Sequence, residues 1–117
     1  MTIFQIEPVT IAQGDATSMQ YEFEYQNKTI PDLTDYTCYY LLSPFSFEEE
    51  NVLKKVMSAV PNTTNAYRVT LSSEETAALE AGTYTAKIVL EHEGNYYKKA
   101  RGVFNVLKDS IGIEVTM

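Results

Sequence analysis

The stretch YRVTLSSEETAALEAGTYTAKIVL, residues 67–90, has the pattern of a strand, one turn of helix and a second strand. Apolar and polar side chains alternate at both of its ends, which is the period of a half-buried strand. Between them, Ser72 and Glu75 have the spacing of a capping box, and Gly82 allows the left-handed conformation that often ends a helix. We therefore predict a helical turn near residues 73–79 that carries the chain between two stacked sheets.

The same alternation marks strands on both sides of this stretch. It is clearest over residues 16–26, and it returns at 35–42 and 97–107. An opening strand is interrupted at Pro8, whose missing amide donor suits the edge of a sheet. About seven strands without a sustained helix predict an all-β fold, an immunoglobulin-like antiparallel β-sandwich, with a small barrel as the alternative.

The domain limits follow from the last strand. We predict a single domain, the sandwich, over residues 1–107, because 117 residues is the size of one domain. Residues 108–117 form a C-terminal extension in which Ile111, Ile113 and Val115 alternate again. This extension is predicted to add a strand or to bind a partner.

Residues 46–60 allow a helix as well as a strand. Ser46 and Glu49 have the spacing of a capping box. The apolar residues that follow recur at helical intervals, at Val52, Leu53, Val56, Met57 and Val60. The local pattern favours the helix, because alternation over Leu53–Val60 is poor.

The register of the last hairpin decides which residues face outward. A three-residue loop, Gly94–Tyr96, pairs Leu90 with Ala100 and keeps a lysine off the core face. In this register one face of the last strand is directed outward beside Val89. The outward residues are Tyr97, Lys99, Arg101 and Val103.

The composition excludes several kinds of function. Nine basic and 16 acidic residues give a net charge of −7, which repels the phosphate backbone of nucleic acids. No run of about 18 apolar residues could span a membrane, and the N-terminus has no secretory signal pattern. We therefore expect synthesis in the cytoplasm and neither a nucleic-acid nor a membrane partner.

Few residues suit catalysis or metal binding. His92 is the only histidine and lies beside a turn, so we expect a solvated strand end. Cys38, on the apolar face of a central strand, is predicted to be a small buried hydrophobe without a disulfide partner. The run Glu48–Glu50 lacks the spacing of a calcium loop and is expected to be solvated. We predict no catalytic residue, no cofactor and no metal.

The nine tyrosines are the most unusual feature of the composition. Two pairs are adjacent, Tyr39-Tyr40 and Tyr96-Tyr97, so one member of each must face outward from a strand. Outward aromatic residues with arginine are typical of protein interfaces, but they also fit a sugar-binding platform or a solvated sheet face. We predict an interaction surface of Tyr39, Val89, Tyr97, Lys99, Arg101 and Val103, with Ile111, Ile113 and Val115 in the extension.

Five short segments together resemble a known family. They are Gln13-Gly14-Asp15, Pro31-Asp32-Leu33-Thr34, Tyr67 to Ser72, Ala81-Gly82-Thr83-Tyr84 and Gly102 to Val106. The chain resembles the immunoglobulin-like domain at the N-terminus of phage baseplate upper proteins and related tail proteins of phages of Gram-positive bacteria. Asp35 stands where that family typically has a glycine after Asp-Leu-Thr. The resemblance implies a sandwich in which Leu53–Val60 is a strand, and we adopt that prediction.

The resemblance also implies a role. In the family this domain docks on other tail proteins without catalysis, and further domains such as a helical stalk usually follow it. Residues up to Met117 include none of these, so we expect an accessory or adaptor of a phage or prophage tail or baseplate. The expected protein is a non-catalytic virion component, made in the bacterial host cytoplasm, that binds other tail or baseplate proteins as an oligomer. The alternative is a carbohydrate-binding or adhesion module that uses outward-facing tyrosines.

Overall fold

A computed structural model describes residues 4–24, 30–45 and 50–108, and within them the chain forms nine strands and one short helix. In chain order these are β1 (Phe4–Gln5), β2 (Val9–Ala12), β3 (Thr17–Glu22), β4 (Thr37–Pro44), β5 (Leu53–Val56), β6 (Ser58–Ala59), β7 (Ala66–Leu71), α1 (Ser73–Ala77), β8 (Gly82–His92) and β9 (Asn95–Leu107).

The strands form two sheets that face each other. In the larger sheet, β9, β8, β4 and β5 lie side by side, and β1 and β2 pair one after the other with the remaining side of β9. These two pairs are parallel, whereas the other pairs are antiparallel. The smaller sheet has the order β3-β7-β6. This arrangement confirms the predicted all-β, immunoglobulin-like sandwich.

The core lies between the sheets and takes alternate residues from both. Tyr40 of β4 stacks on Tyr21 of β3 with ring centroids 6.2 Å apart. Phe23 meets the edge of the Tyr67 ring at the same distance. Further fully buried side chains are those of Leu42, Leu71, Ile88, Leu90 and Phe104. Burying a side chain of this kind contributes about 1.5–3 kcal/mol, so the core dominates the stability of the sandwich.

The helical turn predicted near residues 73–79 is confirmed as α1. Its capping box is complete, because Ser72 Oγ accepts from the Glu75 amide at 3.1 Å and the Glu75 carboxylate accepts from the Ser72 amide at 2.9 Å. The helix ends at Ala78 in a right-handed conformation, so Gly82 does not terminate it. Gly82 instead begins β8, with a φ of +154°.

A tyrosine corner fixes the end of this connection. The Tyr84 hydroxyl donates to the Glu80 carbonyl at 2.6 Å. Immunoglobulin-like sandwiches have such a bond at the start of the strand that follows the crossing between sheets. Burial, and then the nearby Glu80 carboxylate, raises the pKa of the Tyr84 hydroxyl, which keeps it a donor.

Leu53–Val56 and Ser58–Ala59 are strands, so the strand implied by the resemblance is confirmed, divided at Met57, and the helix favoured by the local pattern is wrong. β5 pairs with β4, and β6 pairs with β7 of the other sheet, because the chain crosses between the sheets at Met57. Leu53 and Met57 both contact the core, which produces the helical interval of four. Lys55, at the inward position between them, lies at the open edge, where its ammonium reaches Glu75.

The register of the last hairpin differs from the predicted one by two residues. Glu93 and Gly94 form a two-residue turn, with φ values of 52° and 81°, the positive values that a type I′ turn requires. This turn alone would place Ala100 opposite Lys87, but one extra residue in β9 shifts the pairing, so Ala100 pairs with Ile88, not with Leu90. Because the shift is even, the side chains from Ala100 to Val106 keep the predicted inward face.

A β-bulge then reverses the face of Tyr97. The register shifts after Ile88, and Lys99 has no opposite residue on β8. Beyond the bulge, Tyr97 pairs with Leu90, whose side chain is fully buried. Tyr97 therefore lies on the inward face, and its predicted position on the outer face beside Arg101 is wrong.

The segments that carry the family resemblance hold connections between strands. In the turn after β2, the Gln13 side chain donates to the Leu79 carbonyl at 2.9 Å. Before β4, the carbonyl of buried Leu33 accepts from the Tyr67 hydroxyl, also at 2.9 Å. Gly102 leaves room for the irregular segment between β1 and β2. These residues therefore specify the sandwich rather than a binding site.

Candidate interaction surface

The outer face of the larger sheet, directed away from the smaller sheet, is the surface from which the sequence predicts partner contacts. It is built from alternate residues of β5, β4, β8 and β9, because side chains of a strand alternate between its two faces. Two rows of residues cross these strands. The first row is Val56, Tyr39 and Val89, and the second row is Lys54, Leu41, Lys87 and Arg101.

The first row is largely apolar. Val89, on an inner strand, is 7% exposed, whereas Val56, at the sheet edge, is 63% exposed. The Lys54 ammonium lies 4.7 Å from the centre of the Tyr39 ring. A cation–π contact of this kind contributes about 0.5–1 kcal/mol at an exposed site, and it links the two rows.

The second row concentrates positive charge. Lys87 pairs directly with Arg101, and Leu41 separates Lys87 from Lys54. Cations on directly opposite positions of neighbouring strands repel each other. In the described register neither row contains an acidic residue, but the next row of the same face, Thr37, Glu91 and Tyr96, contains Glu91, whose carboxylate accepts from the Gly94 amide at 2.9 Å. These two rows together have the charge and the apolar area to attract an acidic, partly apolar protein surface.

The structure brings together part of the predicted surface. Tyr39, Val89, Arg101 and Val103 lie on the outer face of neighbouring strands, and Lys99 is the extra residue of the bulge. Whether they contact a partner stays a prediction. The predicted contacts of the extension, Ile111, Ile113 and Val115, lie outside the described residues, as do Ser46, Glu48 and Glu49.

Lys54, Val56 and Tyr96 were missed by the sequence reasoning. Lys54 and Val56 were missed because the ambiguity between helix and strand hid the face on which they lie. Tyr96 is 68% exposed, so it is the outward member of its pair in place of Tyr97. No residue type in the sequence predicts the bulge, which turns Tyr96 outward and Tyr97 inward. In the other pair Tyr40 is fully buried, which agrees with the expected division.

Tyr36, His92 and Tyr97 form an aromatic cluster at the end of β8. The Tyr36 ring stacks on the His92 imidazole with centroids 4.5 Å apart, and the Tyr97 ring lies 6.3 Å from Tyr36. His92 is a strand end, as predicted, but stacking leaves its side chain only 31% exposed. Tyr39 and Tyr97 lie on opposite faces of the sheet, so they do not form one tyrosine platform for a sugar.

Burial makes Cys38 a poor nucleophile. Its side chain is 1% exposed, its Sγ lies 3.5 Å from Met57 Sδ, and desolvation raises the pKa of its thiol to about 12. The prediction of a small buried hydrophobe is therefore confirmed, since a reactive cysteine must be a thiolate. Within the described part of the chain, no three His, Cys, Asp or Glu side chains are grouped as metal ligands would be. The one helix there is too short to cross a membrane.

The fold places the chain in the class of immunoglobulin-like sandwich domains. It is similar to a solved structure, the N-terminal domain of phage TP901-1 ORF48, with a TM-score of 0.54. The two chains are 13% identical, and the match covers 92% of this chain and 95% of the other. At this identity the likeness concerns the fold alone. No protein-family model and no curated protein matches the chain.

Proposed function

We propose that this protein is a non-catalytic structural component of a phage or prophage virion, a tail or baseplate accessory or adaptor that binds other virion proteins. The observation that carries the proposal is the fold, which matches a domain of a phage protein over 92% of this chain. The sequence resemblance to the N-terminal domain of baseplate upper proteins supports the same role through turn and core residues.

The outer face supports a function in protein binding. It combines the apolar first row with three cations of the second row, Lys54, Lys87 and Arg101. Arginine and aromatic residues are enriched at protein interfaces. Opposite charge on a partner speeds association and fixes its orientation. The expected partner is therefore an acidic, partly apolar surface of another virion protein.

The first experiment asks where the protein goes when particles are made. An antibody against the purified chain is used to blot density-gradient fractions of an induced lysate, with a soluble host enzyme blotted in the same fractions as the control. Co-sedimentation with particles or tails supports a virion component. A signal confined to the soluble fractions refutes it, and titration with cell-wall glycans then tests the carbohydrate-binding alternative.

A second experiment asks whether the outer face makes the contact. Arg101→Glu reverses a charge on the outer face, and Lys108→Glu makes the same change at an exposed cation just after β9. Each variant is supplied to a strain from which the gene has been deleted, after its melting temperature has been compared with that of the wild type. We expect particles to take up Lys108→Glu and to exclude Arg101→Glu. Equal uptake of both would place the contact elsewhere.

A further inference from the structure

β3 has a backbone edge that is available for pairing. It is the terminal strand of the smaller sheet, and no strand of the described residues pairs with its other side. The Phe23 amide, just beyond β3, donates to the Asn65 carbonyl at 2.9 Å, so these two residues are a hydrogen-bonded pair. Hydrogen-bonded pairs alternate in an antiparallel ladder, so the backbone groups of Ser18, Gln20 and Glu22 point away from β7. The side chains of these three residues are exposed.

The other described edges of the two sheets carry features that discourage pairing. β5 has four residues, of which two are Lys54 and Lys55. β6 has two residues and is followed closely by Pro61. The edge formed by β1 and β2 is interrupted at Pro8. Short strands, lysines and prolines are the usual protection of an edge, and Thr17–Glu22 contains neither lysine nor proline.

The place beside β3 is the one that the first strand occupies in many immunoglobulin-like domains, where it joins the second strand in the same sheet. Here β1 and β2 pair with β9 of the larger sheet instead. A groove of about 470 Å³ lies between β3 and the segment that links β1 to β2. Its lining consists of the apolar or aromatic residues Ile6, Pro8, Val9, Met19 and Tyr21 and the polar residues Glu7 and Gln20.

We propose that β3 pairs antiparallel with β3 of a second copy of this chain, across a two-fold axis at Gln20. In this register Gln20 meets Gln20 of the second copy, and Ser18 meets Glu22. Each of these pairs exchanges two backbone hydrogen bonds, because the outward backbone groups belong to the same three residues. The two Glu22 carboxylates do not oppose each other, whereas a parallel pairing in register would bring them together.

Packing inside the proposed interface is also symmetric. Met19 and Tyr21 point towards the sandwich interior and are half-buried in the single chain. The paired strands place Met19 of one copy opposite Tyr21 of the other, next to the groove. The two smaller sheets then form one continuous sheet across the axis. This pairing does not depend on the proposed virion role.

The register is tested by two cysteine variants of the full chain under mild oxidation. In a hydrogen-bonded antiparallel pair the Cα atoms are about 5.5 Å apart, within the range of a disulfide. Gln20→Cys should therefore form a disulfide-linked dimer. Ser18→Cys should not, because residue 18 lies about 13 Å along the strand from its counterpart. Native Cys38 is buried and does not interfere. Equal cross-linking of both variants, or of neither, would overturn the proposal.

The interface itself is tested by Gln20→Pro. The Gln20 amide points to the open edge, so proline removes an intermolecular donor without breaking a bond to β7. Sedimentation equilibrium should show a concentration-dependent dimer for the wild type and for Gln20→Thr, and a monomer for Gln20→Pro with an unchanged circular dichroism spectrum. A monomeric wild type at high micromolar concentration, or a Gln20→Pro variant that still dimerises, would also overturn the proposal. If Gln20→Pro fails to fold, the two cysteine variants decide.

Discussion

An ion pair joins the edge of the larger sheet to the helical turn. The loss of unfolding free energy on removing it can be estimated from the structure. Lys55 Nζ donates to both carboxylate oxygens of Glu75, at 2.9 and 2.8 Å, and the same carboxylate accepts from the Ser72 amide. The Lys55 ammonium first, and then the Ser72 amide, hold the pKa of the Glu75 carboxyl below its usual range. The two charged side chains are 31% and 33% exposed, so solvent screens their attraction.

Glu75→Ala removes the ion pair and one of the two capping-box bonds, the one from the Ser72 amide, and keeps the bond from the backbone amide of residue 75 to Ser72 Oγ. A lost capping bond costs about 1 kcal/mol, and a screened ion pair contributes roughly 0.2–1 kcal/mol. We therefore expect Glu75→Ala to lower the free energy of unfolding by about 1.5 kcal/mol. Lys55→Met keeps an apolar stem at the edge of the core and should cost about 0.5 kcal/mol. The double variant should lose less unfolding free energy than the two single variants lose in sum, because the ion pair between Lys55 and Glu75 can be lost only once.

The assay is urea unfolding at neutral and acidic pH, with Glu74→Ala, in the same first turn of α1, as the matched control. Glu75→Gln keeps a capping acceptor but removes the charge. The lowered pKa means that the charge of Glu75 stabilises the folded state above the usual glutamate pKa of about 4.3, and that this contribution is lost as pH falls through the lower folded value. The difference in unfolding free energy between the wild type and Glu75→Gln should therefore shrink between about pH 6 and pH 3.

Three results would refute this reasoning. Strictly additive costs in the double variant would show that Lys55 and Glu75 are not coupled in solution. A difference between the wild type and Glu75→Gln that stays constant down to about pH 3 would show that the pKa of Glu75 is not lowered. If Glu74→Ala lowered the free energy of unfolding as much as Glu75→Ala does, the effect would come from acidic charge in the first turn of α1 and not from the contacts of Glu75.

Three further predictions test the fold. Gly102→Ala would place a methyl carbon 2.8 Å from the Ile6 carbonyl oxygen, so the β1–β2 segment must shift and the free energy of unfolding should fall by about 1–3 kcal/mol; an unchanged melting temperature would contradict this close approach. Tyr84→Phe removes the bond to the Glu80 carbonyl and should cost about 0.5–1.5 kcal/mol in urea unfolding, whereas an unmoved midpoint would show that the tyrosine corner adds nothing. Cys38, with a thiol pKa of about 12, should resist Ellman's reagent in the folded protein and react after unfolding; rapid reaction without denaturant would contradict its burial.

Features that depend on residues close in the chain were predictable. The capping box needs only Ser72 and Glu75 at their spacing, and it forms as expected. Alternation at period two identified the long strands, because a strand with one buried face must alternate. Cys38 was correctly placed in the core for the same reason.

Features that depend on how strands pair were not predictable. Lys55 occupies an inward position that the alternation rule reserves for apolar residues, and only the nearby carboxylate of Glu75, twenty residues away, makes this tolerable. The helical interval over Val52–Val60 arises because the chain changes sheets at Met57. The apolar residues therefore recur at helical intervals although they lie in and around two short strands that meet at Met57.

By itself the sequence determined the all-β class, the sheet-crossing turn and the sandwich, because alternation, caps and turn residues act within a few positions of one another. Only the tertiary structure decided which residues share a surface. The bulge after Ile88 turns Tyr97 inward, and the pairing of β1 and β2 with β9 leaves the edge of β3 without a described neighbour. Such choices depend on hydrogen bonds between segments far apart in the chain, where one extra residue exchanges the two faces of a strand.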